Sequence, residues 1–204
     1  MKYPESIQNL IECFKKLPGI GERTAERMAL AVLDMDSDDV NLFSTSLINT
    51  KTKIVHCKEC NNLSEDDLCE ICKNKNRNKK VMCVVEEAKN IILFEKLNII
   101  DGYYHVLNGL ISPVDGINPE DLDIEKLLDR VEKNKVEELI LAFKPSIEGE
   151  TTALYISKLL EGKNIKITKL AYGIPIGAEI DYVDSLTLEM ALENRMDITT
   201  NKDS

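Results

Sequence analysis

Four of the six cysteines fall into two matched pairs, Cys57-Lys-Glu-Cys60 and Cys69-Glu-Ile-Cys72, separated by eight residues. A Cys-x-x-Cys turn aims both sulfurs at one centre, and two facing turns form the tetrahedral thiolate cage that zinc prefers. With four sulfur ligands no position is left for water, so such a metal holds structure and performs no catalysis. The gap is shorter than the commonest zinc spacing, which predicts a compact ribbon or knuckle binding one zinc per chain. Redox dithiols or disulfides are the rival reading. The start, Met1-Lys2-Tyr3-Pro4-Glu5-Ser6, lacks the apolar core of an export signal, so a cytoplasmic location with reduced thiols is expected. The segment has Leu63, Leu68 and Ile71 as its main apolar residues. Burial alone will not fold it, whereas structural zinc contributes about 10–16 kcal/mol in isolated finger peptides. His56 could compete as a ligand, but four thiols already fill the site. The other two cysteines, Cys13 and Cys83, lie in apolar patterns and read as small core residues.

The elements ahead of the cysteines carry a second kind of chemistry. Ile7, Leu10, Ile11, Phe14 and Leu17 recur at helical spacing and stop at Pro18, and Ala25, Met28, Ala29 and Val32 mark a second helix. The turn between them, Pro18-Gly19-Ile20-Gly21, exposes amides at a helix start, where free N–H groups and the dipole attract phosphate. This stretch resembles the helix-hairpin-helix motif, which grips the DNA backbone without reading bases. Binding of that kind is non-specific and salt-dependent. Arg23 and Arg27, four apart on one helix face, are the leading phosphate contacts with the Gly19, Ile20 and Gly21 backbone; Lys15 and Lys16 follow. Alternatively the turn merely joins packed helices and the arginines pair with Glu22 and Glu26. A third helix is expected after Asp34, Asp36, Asp38 and Asp39, with Val40, Phe43 and Leu47 inward. Those acids lack the turn glycine and closing Glu of a calcium loop.

Beyond residue 79 the pattern is α/β. Val81–Val85 and Val136–Phe143 read as buried strands, Ile165–Leu170 as a third, and Ala88–Leu97 and Thr151–Leu160 as helices. Strands separated by helices imply a mostly parallel sheet covered on both faces. The first strand ends in Glu86, and the second is followed by Lys144-Pro145-Ser146-Ile147-Glu148-Gly149-Glu150. This arrangement resembles the Toprim domain of topoisomerases, primases and some nucleases, where an Asp-x-Asp joins the first-strand Glu to bind magnesium. Here Lys144 and Ser146 stand at the matching positions. Magnesium demands hard oxygen ligands, and an ammonium group repels it. Glu86, Glu148 and Glu150 leave room for a weak metal site only. His105 lies in a Tyr-rich segment read as a connector or lid, where packing or hydrogen bonding outweighs catalysis. A P-loop is absent, so ATP binding has no support.

In this order the hairpin, the cysteines and the altered Toprim pattern resemble the RecR family of bacterial recombination mediators, from about residue 6 to residue 198. The marks are Leu17-Pro-Gly-Ile-Gly21, the four cysteines, Tyr104-His105-Val106-Leu107 with Gly109, Ile111-Ser-Pro113, Asp115-Gly-Ile117, Glu148-Gly-Glu150 and Gly173-Ile-Pro175. That family usually has Asn at the position of Lys144 and His at that of Tyr172, and both departures weaken metal chemistry further. The resemblance implies a non-catalytic, ring-shaped homotetramer that clamps single- or double-stranded DNA, works with RecO and RecF, and helps RecA replace single-strand binding protein at gaps. The tail would join subunits, and Glu86, Glu148 and Glu150 would dock a basic partner.

The fold expectation is therefore α/β. It comprises a helical DNA-binding module over 1–52, a zinc finger over 53–78, a Toprim domain over 79–173 and a helical tail over 174–204, polar and frayed from Thr199. The net charge of −10 is unevenly placed. Residues 81–204 hold 13 basic and 23 acidic side chains, whereas residues 51–80 hold 8 and 5, with five of those basic groups between Lys73 and Lys80. A polyanion is thus expected to meet the first part of the chain, although zinc with four thiolates removes two charges from that surplus. No apolar run approaches a membrane span. The rivals are a Toprim-type magnesium-dependent nuclease or topoisomerase-like enzyme using Glu86, Glu148 and Glu150, and a zinc-stabilised scaffold that touches proteins only.

Overall fold

A computed structural model describes residues 2–196, so the expected fraying from Thr199 lies outside the described residues. The chain forms two compact units that part after Ile54. In the first, α1 (Glu5–Lys15), α2 (Glu22–Ala31) and α3 (Ser37–Lys53) follow one another. Helix α1 opens after Pro4 and closes ahead of Pro18, as the fixed φ and missing N–H of proline require. Helices α1 and α2 bury their stripes against each other through Ile11, Phe14, Ala25 and Ala29. Cys13 sits off that stripe and is exposed, which corrects its reading as a core residue. The inward face expected of α3 is also corrected, because α3 contains no buried residue and Phe43 and Leu47 are exposed. The apolar stripes of α1 and α2 are spent on each other.

The second unit begins with a short antiparallel pair, β1 (Val55–His56) and β2 (Leu63–Ser64), and a single helical turn, α4 (Glu70–Lys73). Then come β3 (Val81–Val85), α5 (Ala88–Leu97), β4 (Tyr103–Val106), α6 (Ile124–Asn134), β5 (Glu138–Ala142), α7 (Ile147–Leu159), β6 (Lys166–Lys169) and, in the tail, α8 (Ser185–Glu193). The four longer strands form one parallel sheet in the order β4-β3-β5-β6. Strand periodicity sorts the core. Met82, Val84, Leu139 and Leu141 pack with Leu127 and Val131 of α6 and Ile156 of α7. Cys83, Val85, Tyr104 and Val106 pack with Ile91 of α5. Both faces are covered, as a parallel sheet requires.

The segment read as a connector or lid is strand β4, and all four of its residues are buried. His105 is enclosed with them: its Nε2–H donates to the Asp123 carbonyl at 3.0 Å, and burial pushes its pKa down to about 3, so the ring stays neutral. Helix α6 has no counterpart among the sequence expectations, although Ile124, Leu127 and Val131 recur at helical spacing. Helix α7 begins earlier than expected, because the Ser146 hydroxyl caps it by accepting from the Gly149 amide at 3.2 Å.

Strand β4 starts hard against its neighbour. A Cβ on Gly102 would lie 2.4 Å from the Val81 carbonyl oxygen. Gly102→Ala is expected to destabilise the fold by about 1–3 kcal/mol in denaturant titration.

Candidate nucleic-acid interface, metal centre and carboxylate site

The four cysteine sulfurs Cys57, Cys60, Cys69 and Cys72 lie within 4.8 Å of one another. A zinc–thiolate bond of about 2.3 Å sets the edge of the tetrahedron at about 3.8 Å, and the Cys60 and Cys69 sulfurs are 3.5 Å apart. Backbone bonds build the cage: the Asn61 amide donates to the Cys57 carbonyl at 2.9 Å and the Cys57 amide to the Asn62 carbonyl at 2.7 Å. Asn61 closes this turn with φ of +62°, a left-handed conformation that asparagine tolerates better than most residues. The Cys69 amide donates to the Cys57 sulfur at 3.3 Å. Mutual hydrogen bonding splits the thiols: bonding with Cys60 pulls Cys69 down, while bonding with Cys69 pushes Cys60 up to about 12. Four sulfurs so crowded cannot all ionise without a cation among them, and zinc supplies that charge. The donor set therefore fits one zinc per chain. His56 stands aside, its Nδ1–H donating to the Asn61 carbonyl at 3.0 Å.

In the first unit, Gly19 takes φ of +79° and Gly21 caps α2 in an extended conformation. Both are exposed, and open space surrounds the position of a Cβ on either. Ile20 between them is half-buried in the core of α1 and α2, which fixes the turn while its glycine backbone faces out. The first amides of α2 have no intrahelical partner, so they point to the surface with the positive end of the helix dipole. Arg23 and Arg27 are exposed, and among the described residues no carboxylate pairs with either. Glu22 pairs instead with Lys15 at 2.6 Å, and Lys15 also holds Glu12 at 2.8 Å. Lys15 is thereby engaged within the unit, while Lys16 is exposed without an ion pair among the described residues.

The basic run from Lys73 to Lys80 is mostly spent inside the second unit. Lys73 pairs with Asp66 and Glu70, and Lys80 with Glu137. Arg77 forms a two-pronged pair with Glu95 and donates to the Gly102 and Ile100 carbonyls. It anchors the segment to α5 and to the loop ahead of β4, leaving Lys75 and Lys79 as the exposed cations without an ion pair there, among the described residues.

At the carboxyl end of the sheet Glu86 follows β3, and the Lys144 ammonium lies 3.2 Å from its carboxylate. Gly149 is needed beside it, since a Cβ there would lie 2.2 Å from the Lys144 carbonyl oxygen. Glu150 receives Lys169 at 2.9 Å on both oxygens and the Tyr172 hydroxyl at 2.6 Å, and the Lys169 ammonium also lies 5.0 Å from the Tyr172 ring centroid. The Tyr172 hydroxyl, then Lys169, hold the Glu150 carboxyl below its usual range. Hydrogen bonding from Ser146 does the same for Glu148. Among the described residues the four cysteines are the one group of three or more such side chains close enough to share an ion. Glu86, Glu148 and Glu150 form no such group among the described residues, and Glu86 and Glu150 each hold an ammonium group. Lys169 stands at the exposed end of β6, and its pairing with Glu150 leaves no signal in the sequence beyond the charge itself.

Family-level comparison places four regions in chain order: the RecR helix-hairpin-helix over residues 7–51; the RecR four-cysteine zinc finger domain over residues 54–74; a Toprim domain over residues 80–171; and the RecR C-terminal region over residues 173–196. Together they span nearly all of the chain and agree with the hairpin, the thiol cage and the parallel sheet described above. The chain belongs to the RecR family, whose domains carry a DNA-binding role in recombination and repair.

Proposed function

We propose that the chain is a non-catalytic mediator of recombinational repair, working in the cytoplasm as a ring-shaped homotetramer that clamps DNA. With RecO and RecF it helps load RecA on gapped single-stranded DNA. The helical module over 1–52 holds phosphates through Arg23, Arg27, Lys16 and the Gly19–Gly21 backbone, with Lys15 as a lesser contact. The finger over 53–78 is structural. The domain over 79–173 docks a basic partner through Glu86, Glu148 and Glu150, and the tail over 174–204 joins subunits. Of the three acids, Glu148 has no ion pair among the described residues and is the most available to a partner.

The observation that carries this reading is the contrast between two charge sites. Two guanidinium groups without carboxylate partners among the described residues stand beside an exposed glycine turn, whereas Glu86 and Glu150 each hold a lysine. Phosphate contacts alone give sequence-independent binding, which suits a protein that acts wherever a gap occurs.

Arg23→Ala with Arg27→Ala is expected to weaken binding equally on unrelated DNA sequences and to reduce the slope of log affinity against log salt by about 2. A slope identical to that of the unaltered chain counts against the hairpin as the phosphate grip. Pure protein is expected to leave supercoiled, linear and gapped DNA intact in magnesium or manganese. Turnover abolished by Glu86→Gln would establish the nuclease or topoisomerase alternative instead.

A further inference from the structure

We propose that α6 is the cradle of the zinc knuckle: Lys126, Arg130 and Lys133 on one face of the helix neutralise the metal-loaded turn, so zinc binding and closure of the β4 sheet edge are a single coupled event.

Positions 126, 130 and 133 share a helix face by their spacing, and all three reach Glu59 or Asn61 in the first cysteine turn. The Lys126 ammonium donates to the Asn61 side-chain carbonyl. Lys133 pairs with Glu59 at 3.1 Å, and the Arg130 Nε lies 3.7 Å from the same carboxylate. Arg130 is the decisive member because its side chain is 5% exposed. One of its terminal nitrogens donates to the Tyr104 carbonyl at 2.7 Å and to His105 Nδ1 at 3.0 Å, while its Nε has no hydrogen-bond partner. His105 cannot offset the charge, since its Nε2–H is given to the Asp123 carbonyl and the ring is neutral. Among the described residues Glu59 is the one carboxylate within ion-pair reach of Arg130. A buried cation stripped of its partner is strongly destabilising, because neither water nor a counter-charge then solvates it.

Glu59 is set between two metal ligands, Cys57 and Cys60. The loaded cage carries four thiolates and one divalent ion, a net −2, to which Glu59 adds −1. Against this stand the three cations of α6. The same turn closes the sheet: the Val106 amide donates to the Cys60 carbonyl at 2.9 Å, and the Asn61 side-chain amide donates to the Val106 carbonyl at 3.0 Å. Whatever fixes the turn therefore fixes the edge of β4, and by linkage the charges of α6 must raise the affinity for zinc.

The full chain, zinc-loaded, is titrated with a chromophoric chelator at equilibrium, and amide exchange at Val106 is followed with and without metal. Glu59→Gln is expected to weaken zinc affinity about tenfold, and Arg130→Met by a similar factor, with the double variant no weaker than either alone. Removing zinc is expected to speed exchange at Val106 by at least about tenfold. Losses that multiply in the double variant, or Val106 protection unaffected by the metal, would overturn the proposal. Should Arg130→Met fail to fold, Glu59→Gln decides alone, and an unchanged affinity refutes the coupling.

Discussion

An edge strand presents a row of amide and carbonyl groups that water or another chain must satisfy. On β4 those groups are met from within the subunit. Cys60 and Asn61 bracket Val106, and Arg130 takes the Tyr104 carbonyl. The closing segment is too polar to hold itself in place, since Leu63 is 49% exposed and the finger's buried residues are mainly its own cysteines. Zinc supplies what burial does not, on the order of 10 kcal/mol in finger peptides. The metal thus has a structural task defined by the sheet. It stabilises a turn, the turn satisfies an edge, and the edge strand completes a core that Tyr104 and Val106 share with α5. The opposite edge, β6, is guarded differently, with Lys166 and Lys169 at its ends, a charge pattern that discourages pairing with foreign strands.

Electrostatics in this protein is local. A net charge of −10 predicts repulsion from a polyanion when taken as a whole, yet fields are screened within about 8 Å at physiological salt. What matters is which cations remain unspent. In the second unit Lys58, Lys73, Arg77, Lys80, Lys144, Lys163, Lys166 and Lys169 all hold carboxylates. The two arginines of α2 hold none among the described residues, and they flank the amides of a helix start, where backbone dipoles add to their field. The basic surplus between 51 and 80 is likewise divided, with Lys58, Lys73, Arg77 and Lys80 paired and Lys75 and Lys79 without an ion pair among the described residues.

The legible parts of the sequence are those with strong local signatures. The thiol spacing, the glycine turn and the apolar runs of β3 and β5 each state a physical need that few other residue patterns meet. Sequence reading fails where tertiary context decides. Tyr103-Tyr104-His105-Val106 has a polar residue in the middle and no alternation, because both faces of β4 are covered and His105 finds its partners in α6 and the loop before it. Val40, Phe43 and Leu47 of α3 recur at helical spacing, and periodicity predicts a stripe without naming what covers it; Val40 is half-buried, while Phe43 and Leu47 stay exposed. Cys13 neighbours the buried stripe of α1 without belonging to it, a difference of one residue in register. The ion pairs of Lys144 and Lys169 depend on side chains far apart in sequence, and no spacing rule reaches them.

Parallel open sheets bind ligands outside the carboxyl ends of their strands, at the point where chain order reverses. In the order β4-β3-β5-β6 that point falls between β3 and β5, and there Glu86 meets Lys144. A divalent ion in this crevice would have to displace the ammonium, shed water, and find oxygen ligands from Glu148 and Glu150, which form no ion-sharing group with Glu86 among the described residues. Glu150 is further committed to Lys169 and Tyr172. Covalently tethered cations pair with two of the carboxylates that a mobile cation would need. The crevice keeps its shape because the demands on it are backbone demands: Gly149 must clear the Lys144 carbonyl, and Ser146 must cap α7. A frame held by such constraints needs no metal ion to stand.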